Sequence, residues 1–196
     1  DSVVSAMMNI NMIYFTEGRI PQRIGNRYES TYPYDSFKTK DGDVIIGAGN
    51  DKLYRLLCQE MGREDLATDE RFLTVSNRVA NHEALGKIIE AWTMEQTVDE
   101  VADRLNKIGV PSSPINTVDR VAKDPQIAGD RNMFPVLDQP VAGKVKITNN
   151  QLKFTNHKAD AHVPAPLLGQ HNEDIFCGVL GLDKAELQRL KDEKVI

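Results

Sequence analysis

Arg19, Arg23 and Arg27 fall at four-residue intervals and bring positive charge into the stretch after Gly18. Guanidinium groups grip carboxylates and phosphates through charge-assisted hydrogen bonds, so contact with an anionic ligand is one reading. A solvated charged face is the other. The arginines run into residues 23–51, RIGNRYESTYPYDSFKTKDGDVIIGAGND, around which the chain is organised. A loop rich in polar and aromatic side chains, residues 25–33, comes first. Two strand-like runs then flank the turn pair Asp41-Gly42, a strong hairpin signal. The second run, Val44-Ile45-Ile46, ends at Gly47 and Gly49, and Asn50-Asp51 opens a helix. A hairpin by itself implies no chemistry.

The other reactive side chains form no familiar constellation. There is no phosphate-binding P-loop, dinucleotide glycine fingerprint or Gly-x-Ser-x-Gly elbow, and Gly47-x-Gly49 is too short to cradle a phosphate. His82, His157, His162 and His171 lack metal-ligand spacing, so no metal site is expected. Most carboxylates fall on helix faces or first turns, where solvent and the helix dipole account for them. Cys58 and Cys177 lie far apart in apolar helical contexts, as reduced core thiols of a cytoplasmic protein would. Residue by residue, nothing here establishes an enzyme.

The elements that must position these residues are mostly helices. Residues 51–61 carry the stripe Leu53, Leu56, Leu57, Met61, with Gly62 placed to end the helix. Residues 66–72 are polar and read as a connector. One helix is expected over residues 77–93, with Leu85, Ile88, Ile89 and Trp92 inward and Trp92 a core anchor. The next starts at the capping box Thr97-x-x-Glu100, buries Val98, Val101, Ala102, Leu105 and Ile108, and ends at Gly109. Pro111 and Pro114 bracket an extended piece. Thr117 can cap a helix through Val121, stopped by Pro125. From Met133 the texture turns strand-like at residues 134–137, 144–148 and 151–154, with Gly143 and Asn149-Asn150 as turn signals. Two capped helices close the chain, one over residues 172–180 and one from Asp183.

The bulk numbers exclude several classes. The chain has 196 residues, 40% of them hydrophobic, enough for one or two ordinary domains with a core. A formal charge of −5 argues against a nucleic-acid or anionic-membrane partner. No apolar run is long enough to span a bilayer, and the first residues do not have the pattern of a signal peptide. The N-terminal residues Val3, Val4, Ala6, Met7, Met8, Ile10, Met12, Ile13 and Phe15 cover nearly every face of one helix, which is the pattern of a helix buried all round. The chain is therefore expected to be the C-terminal part of a longer protein whose packing surface lies elsewhere.

The order of motifs says more than any one of them. Arg23-x-Gly-Asn26 comes first, then Pro33-Tyr34-x-x-Phe37-x-Thr-x-Asp-Gly42 and Val44-Ile-Ile-Gly-Ala-Gly-Asn-Asp51. Asp69-x-Arg-Phe72, Asn77-Arg78, Gly109-Val-Pro111, Pro114-Ile-Asn116, Asp124-Pro-Gln126 and Pro166-Leu-Leu-Gly-Gln-His171 follow. In this order they resemble the class III CoA-transferases, the CaiB/BaiF family, over essentially the whole chain. Asn77-Arg78 and the Phe37 strand pattern sit closer to the transferase than to the racemase branch.

The resemblance implies an α+β fold: the small domain of a CoA-transferase family III protomer, plus the C-terminal return to a large α/β domain. Residues 1–35 would be the helix and linker leaving the large domain, residues 36–132 the small domain, and residues 133–196 short strands and helices returning. It implies an interlocked homodimer, with acyl-CoA and carboxylic acids as substrates, coenzyme A serving as substrate with no resident cofactor, and no nucleic acid or membrane partner. Coenzyme A would move between acids through a covalent aspartyl intermediate. The nucleophilic Asp would lie upstream of Asp1, so no catalytic residue is assigned here and the 196 residues alone would be inactive. The loop after Gly25 corresponds to the active-site cover, which makes Asn26, Arg27, Glu29, Ser30 and Tyr32 the substrate-binding candidates. In some members that cover is glycine-rich; here residues 27–32 contain no glycine. An acyl-CoA racemase and a non-catalytic assembly module are the alternatives.

Overall fold

Turn and cap chemistry sets most element boundaries. The structure is a computed structural model that describes residues 1–157 and 159–196, and residue 8 by its backbone alone. The first helical stretch is two helices, α1 (Ser2–Ala6) and α2 (Met8–Glu17), joined at Met7 and stopped by Gly18 in the left-handed region. Within the described residues the apolar side chains of these helices are uncovered: Val3, Val4, Ile10, Met12, Tyr14 and Phe15 are exposed, Phe15 by 72%. Apolar groups spread round the axis leave no single face for one neighbour to cover.

Strands β1 (Tyr34–Lys38) and β2 (Asp43–Gly47) form the hairpin, with Phe37 opposite Val44. β3 (Ser112–Pro114) adds antiparallel to β2, giving the order β1-β2-β3. Asp41 in the hairpin loop accepts the Thr39 hydroxyl and the backbone N–H of Val98, so one carboxylate shapes the turn and also supports a helix start. Val44 and Ile46 point from the central strand into a core with Phe37, Leu57, Leu85, Ile89, Val101 and Leu105. Each such side chain contributes about 1.5–3 kcal/mol on burial.

The helices over this sheet begin where the sequence predicts and face slightly differently. Asn50 caps α3 (Asp51–Glu60) by accepting the N–H of Leu53 at 2.9 Å. Its inward residues are Tyr54, Leu57 and Cys58, while Leu53, Leu56 and Met61 are half-buried. The expected stripe is thus turned by part of a step, because Tyr54 takes the interior and donates its hydroxyl to Leu66 O. The polar connector reading is corrected too: Leu66 and Phe72 are core residues around a tight turn at Glu64–Ala67. The single helix expected over 77–93 is α4 (Val75–Ala80) and α5 (His82–Thr93), broken at Asn81. The Asn81 side-chain amide donates to Arg71 O and Asn77 O, an alternative partner set that competes with helix continuation. Trp92 is half-buried rather than a core anchor, with the Arg104 guanidinium over its ring at 5.2 Å. α6 (Val98–Lys107) starts at a complete Thr97–Glu100 capping box. Thr93 donates its hydroxyl to Lys38 O and so ties α5 to β1.

Residues Asp1–Ile115 form one compact unit and Asn116–Ile196 a second. The second holds α7 (Val118–Val121), the hairpin β4 (Val136–Gln139) and β5 (Gly143–Lys146), a wide helical turn at Glu173–Val179, and α8 (Lys184–Asp192). Pro125 does not stop α7; it opens a further wide turn, Pro125–Asp130, capped by Asp124. Thr117 gives its hydroxyl to Asp119 rather than capping a backbone N–H. Residues 151–154 are not a strand. Instead buried Asn149 organises that region: its amide donates to Asn132 O and Asp160, and its side-chain oxygen accepts the N–H groups of Asn150 and Ala161. The helices beside two small antiparallel sheets make the chain α+β.

Arg78 is wholly buried at the centre of the first unit. Its Nε donates to Tyr32 O at 2.9 Å, Nη1 to Phe72 O at 3.1 Å, and Nη2 to Gly49 O at 3.1 Å and Asp51 Oδ1 at 2.8 Å. Its guanidinium carbon lies 4.5 Å from the centre of the Tyr54 ring. Replacing Arg78 by Met strands the buried carbonyls of Tyr32 and Phe72 and leaves Gly49 O with Thr31 alone, and a loss of about 3–5 kcal/mol is expected. The Asp51 side chain is 52% exposed, so Asp51→Asn should cost under about 1 kcal/mol. Urea unfolding of the two variants checks the contrast; equal losses would show that the ion pair, not the carbonyl contacts, carries the stability.

Candidate functional site

Gly18 stops α2 and Gly25, at a φ of +75°, turns the chain back towards it. Between helix and returning chain lies a cleft of about 580 Å³. Asn9, Ile10 and Ile13 of α2 form one wall, Pro21 and Ile24 continue it, and Arg23, Arg27, Tyr28, Glu29 and Ser30 supply the rest. Two contacts close it across the top: Asn9 donates its amide to the Tyr28 hydroxyl at 2.8 Å, and Arg19 forms an ion pair with Glu29. Arg23 and Arg27 make no hydrogen bond or ion pair among the described residues. An apolar cleft carrying unpaired guanidinium groups is suited to a ligand with an apolar body and anionic ends.

Of the five residues singled out in the sequence, Arg27, Glu29 and Ser30 line this cleft. Asn26 does not; its amide is turned to Ser36 Oγ at 3.0 Å. Tyr32 is placed in the core, 2% exposed, with its ring against Phe37 and His82. Burial pushes the Tyr32 phenol well above its ordinary range. The helix wall of Asn9, Ile10 and Ile13 was not legible as part of a site. The available signal was a dense apolar helix running directly into arginine-bearing loop.

The carboxylates nearby have other tasks. Glu29 is engaged by Arg19, Asp41 by the Val98 N–H, and Asp51 by Arg78. Asp35 accepts the N–H of Ser36 at 2.7 Å. Its half-burial raises its carboxyl pKa, opposed by that N–H and by the charge of Arg27. Among the described residues no group of three or more His, Cys, Asp or Glu could hold a metal ion, and no helix is long and apolar enough to cross a membrane.

Asp35 yields a pH prediction. In the unfolded chain it ionises in the ordinary carboxylate range, while in the fold it keeps its proton to higher pH. Its contribution is therefore complete below that range and is lost as pH rises through the raised value. Asp35→Asn should gain stability relative to the unmodified protein between acid and neutral pH. Thermal melts across that window check it; a difference independent of pH would contradict it.

The model of CoA-transferase family III matches residues 1–172. A succinyl-CoA–D-citramalate CoA-transferase of Chloroflexus aurantiacus is 32% identical over 197 aligned positions, covering 100% of this chain and 49% of that protein. A succinyl-CoA:glutarate CoA-transferase of Mus musculus is 29% identical over 195 positions, covering 100% and 44%. The crystal structure of a CAIB/BAIF family protein from Brucella suis superposes with a TM-score of 0.71 at 36% identity, over 89% of this chain and 44% of that one. The chain thus spans about half the length of the curated relatives it matches.

Proposed function

This chain belongs to CoA-transferase family III, and we propose that it serves an enzyme moving coenzyme A between carboxylic acids. The observation that carries this reading is the cleft between α2 and the loop after Gly25, with Arg23 and Arg27 unpaired on an apolar lining. An acyl-CoA of a dicarboxylic acid has this duality: anionic phosphates at one end and a free carboxylate at the other, joined by a long, uncharged pantetheine arm. The names of the relatives, succinyl-CoA with citramalate or glutarate, favour a short dicarboxylic acyl group.

In this reading an enzyme carboxylate attacks the acyl-CoA thioester, forming an acyl–enzyme anhydride and releasing CoA thiolate. The thiolate attacks the enzyme-side carbonyl, which frees the first acid and leaves CoA as an enzyme thioester. The acceptor carboxylate then displaces the thiolate as a new anhydride, and the returning thiolate cleaves that at the acyl carbon. Covalent exchange divides one difficult displacement into easier steps. The attacking Asp is supplied from outside residues 1–196, which fits the commitment of Glu29, Asp35, Asp41 and Asp51 to local partners. Arg27, Glu29 and Ser30 face the substrate, and Asn26 and Tyr32 hold the loop that carries them. Excluding water protects the anhydride, a task for this loop as cover. CoA enters as a substrate with no resident cofactor. The enzyme is a cytoplasmic homodimer in which residues 1–35 leave a large domain, 36–132 form the small one and 133–196 return. Residues 1–196 alone are inactive.

The test is transfer of coenzyme A from succinyl-CoA to a panel of mono- and dicarboxylic acids by the whole protein, with hydroxylamine trapping of the acyl-enzyme. Exchange with a trapped adduct is expected; neither across the panel would reject the reading. Arg27→Gln should raise KM for acyl-CoA about tenfold, the equivalent of one charge-assisted contact, with an unchanged melting temperature.

A further inference from the structure

The loop of residues 27–32 has no glycine, yet it lies against glycines that belong to other elements. The Thr31 hydroxyl donates to Gly49 O at 2.9 Å. A Cβ on Gly49 would stand 2.4 Å from Thr31 Oγ1 and 2.8 Å from its Cγ2. The next residue repeats the arrangement: a Cβ on Gly86 of α5 would stand 2.7 Å from the Tyr32 hydroxyl. Neither glycine has a positive φ, so neither is required by backbone conformation. What excludes a side chain at both is the close approach of the loop.

Arg78 completes the seat. Its Nη2 donates to the same Gly49 carbonyl that accepts Thr31, filling both lone pairs, and its Nε holds Tyr32 O. Ala48 N donates to Pro33 O at 2.8 Å, which fixes the chain just beyond. The half of the loop towards Gly25 has no such seat. It is held by one backbone bond, Tyr28 N–H to Tyr34 O at 2.8 Å, and otherwise by side-chain contacts of Asn26, Tyr28 and Glu29 to Ser36, Asn9 and Arg19. Fixed and loosely tied halves meet between Ser30 and Thr31.

We infer that Gly49 and Thr31 are a positioning pair for the cleft. The bare backbone of Gly49 seats Thr31, that seat sets where Arg27 and Glu29 stand, and movement of the cover is confined to residues 26–30. The consequence for ligand rests on the CoA-transferase reading; the clamp itself does not.

Three forms of the whole protein test this: Gly49→Ala, Thr31→Ala, and the double variant. Hydrogen exchange is followed at the amides of Tyr28, bonded to Tyr34 O, and Ala48, bonded to Pro33 O. Binding of CoA is measured alongside. Gly49→Ala should speed exchange at both amides more than tenfold and weaken CoA binding about tenfold. Thr31→Ala alone loses the bond to Gly49 O and should speed exchange about threefold; combined with Gly49→Ala it also removes the closest opposing atoms and should bring both values back to those of Thr31→Ala alone. A general effect of alanine on the strand end would not respond to residue 31. Unchanged exchange in Gly49→Ala, or no recovery in the double variant, overturns the inference. If the unmodified protein binds no CoA, the functional reading falls while the exchange data still decide the clamp. Should Gly49→Ala not fold, Thr31→Ser against Thr31→Ala decides: serine keeps the bond to Gly49 O and should keep protection, alanine should lose it, and equal exchange in the two overturns the pair.

Discussion

A guanidinium shut away from water must find acceptors for its N–H groups inside the protein, and Arg78 finds them on three separate pieces of backbone. The carbonyls of Tyr32, Gly49 and Phe72 come from the loop, the end of the central strand and the turn before α4. Apolar packing fixes how closely these segments approach but carries no directional bond to their carbonyls. Directed hydrogen bonds to a rigid planar fork specify where each carbonyl must be. The loop's fixed half, the strand end and the helix start therefore form one frame, and the stacked Tyr54 ring covers the cation on one face.

This frame explains how a loop without glycine can still border a cleft. Its inner end is immobilised at Thr31 and Tyr32, and its outer end is held by the Tyr28 N–H bond to Tyr34 O and by single polar contacts to Asn9 of α2 and to Arg19. Arg23 and Arg27 are left facing the cleft without partners of their own. Exposed Arg23 and half-buried Arg27 beside Ile10, Ile13 and Ile24 offer charge to an anion whose apolar body could cover that wall.

The local rules were legible where one residue decides the outcome. The Thr97–Glu100 box, the Asn50 cap, the Asp41-Gly42 hairpin and the stop at Gly109 all lie in a few adjacent residues, and each is present. What escaped was set by distant partners. The break at Asn81 depends on Arg71 O, and the burial of Tyr32 depends on a missing side chain at Gly86. Leu66 and Phe72 look like spaced apolar residues in a polar connector until Tyr54 and Arg78 are seen reaching for their carbonyls. Asn77-Arg78 marked the family by order alone; only the fold reveals that the arginine is the structural centre. At the candidate site the charged half of the cleft could be read from the loop, and the helical half could not, because periodicity reports a helix without its neighbour.

The central claim is that the cleft between α2 and residues 23–30 receives acyl-CoA while the frame beneath it stays fixed. Amide exchange of the whole protein, measured with and without saturating succinyl-CoA, tests this most directly. The account predicts slower exchange across residues 9–13 and 23–30, with residues 31–33 and 48–49 unchanged. Protection confined to other segments, or a ligand response at residues 31–33 and 48–49 with none at 23–30, would contradict it.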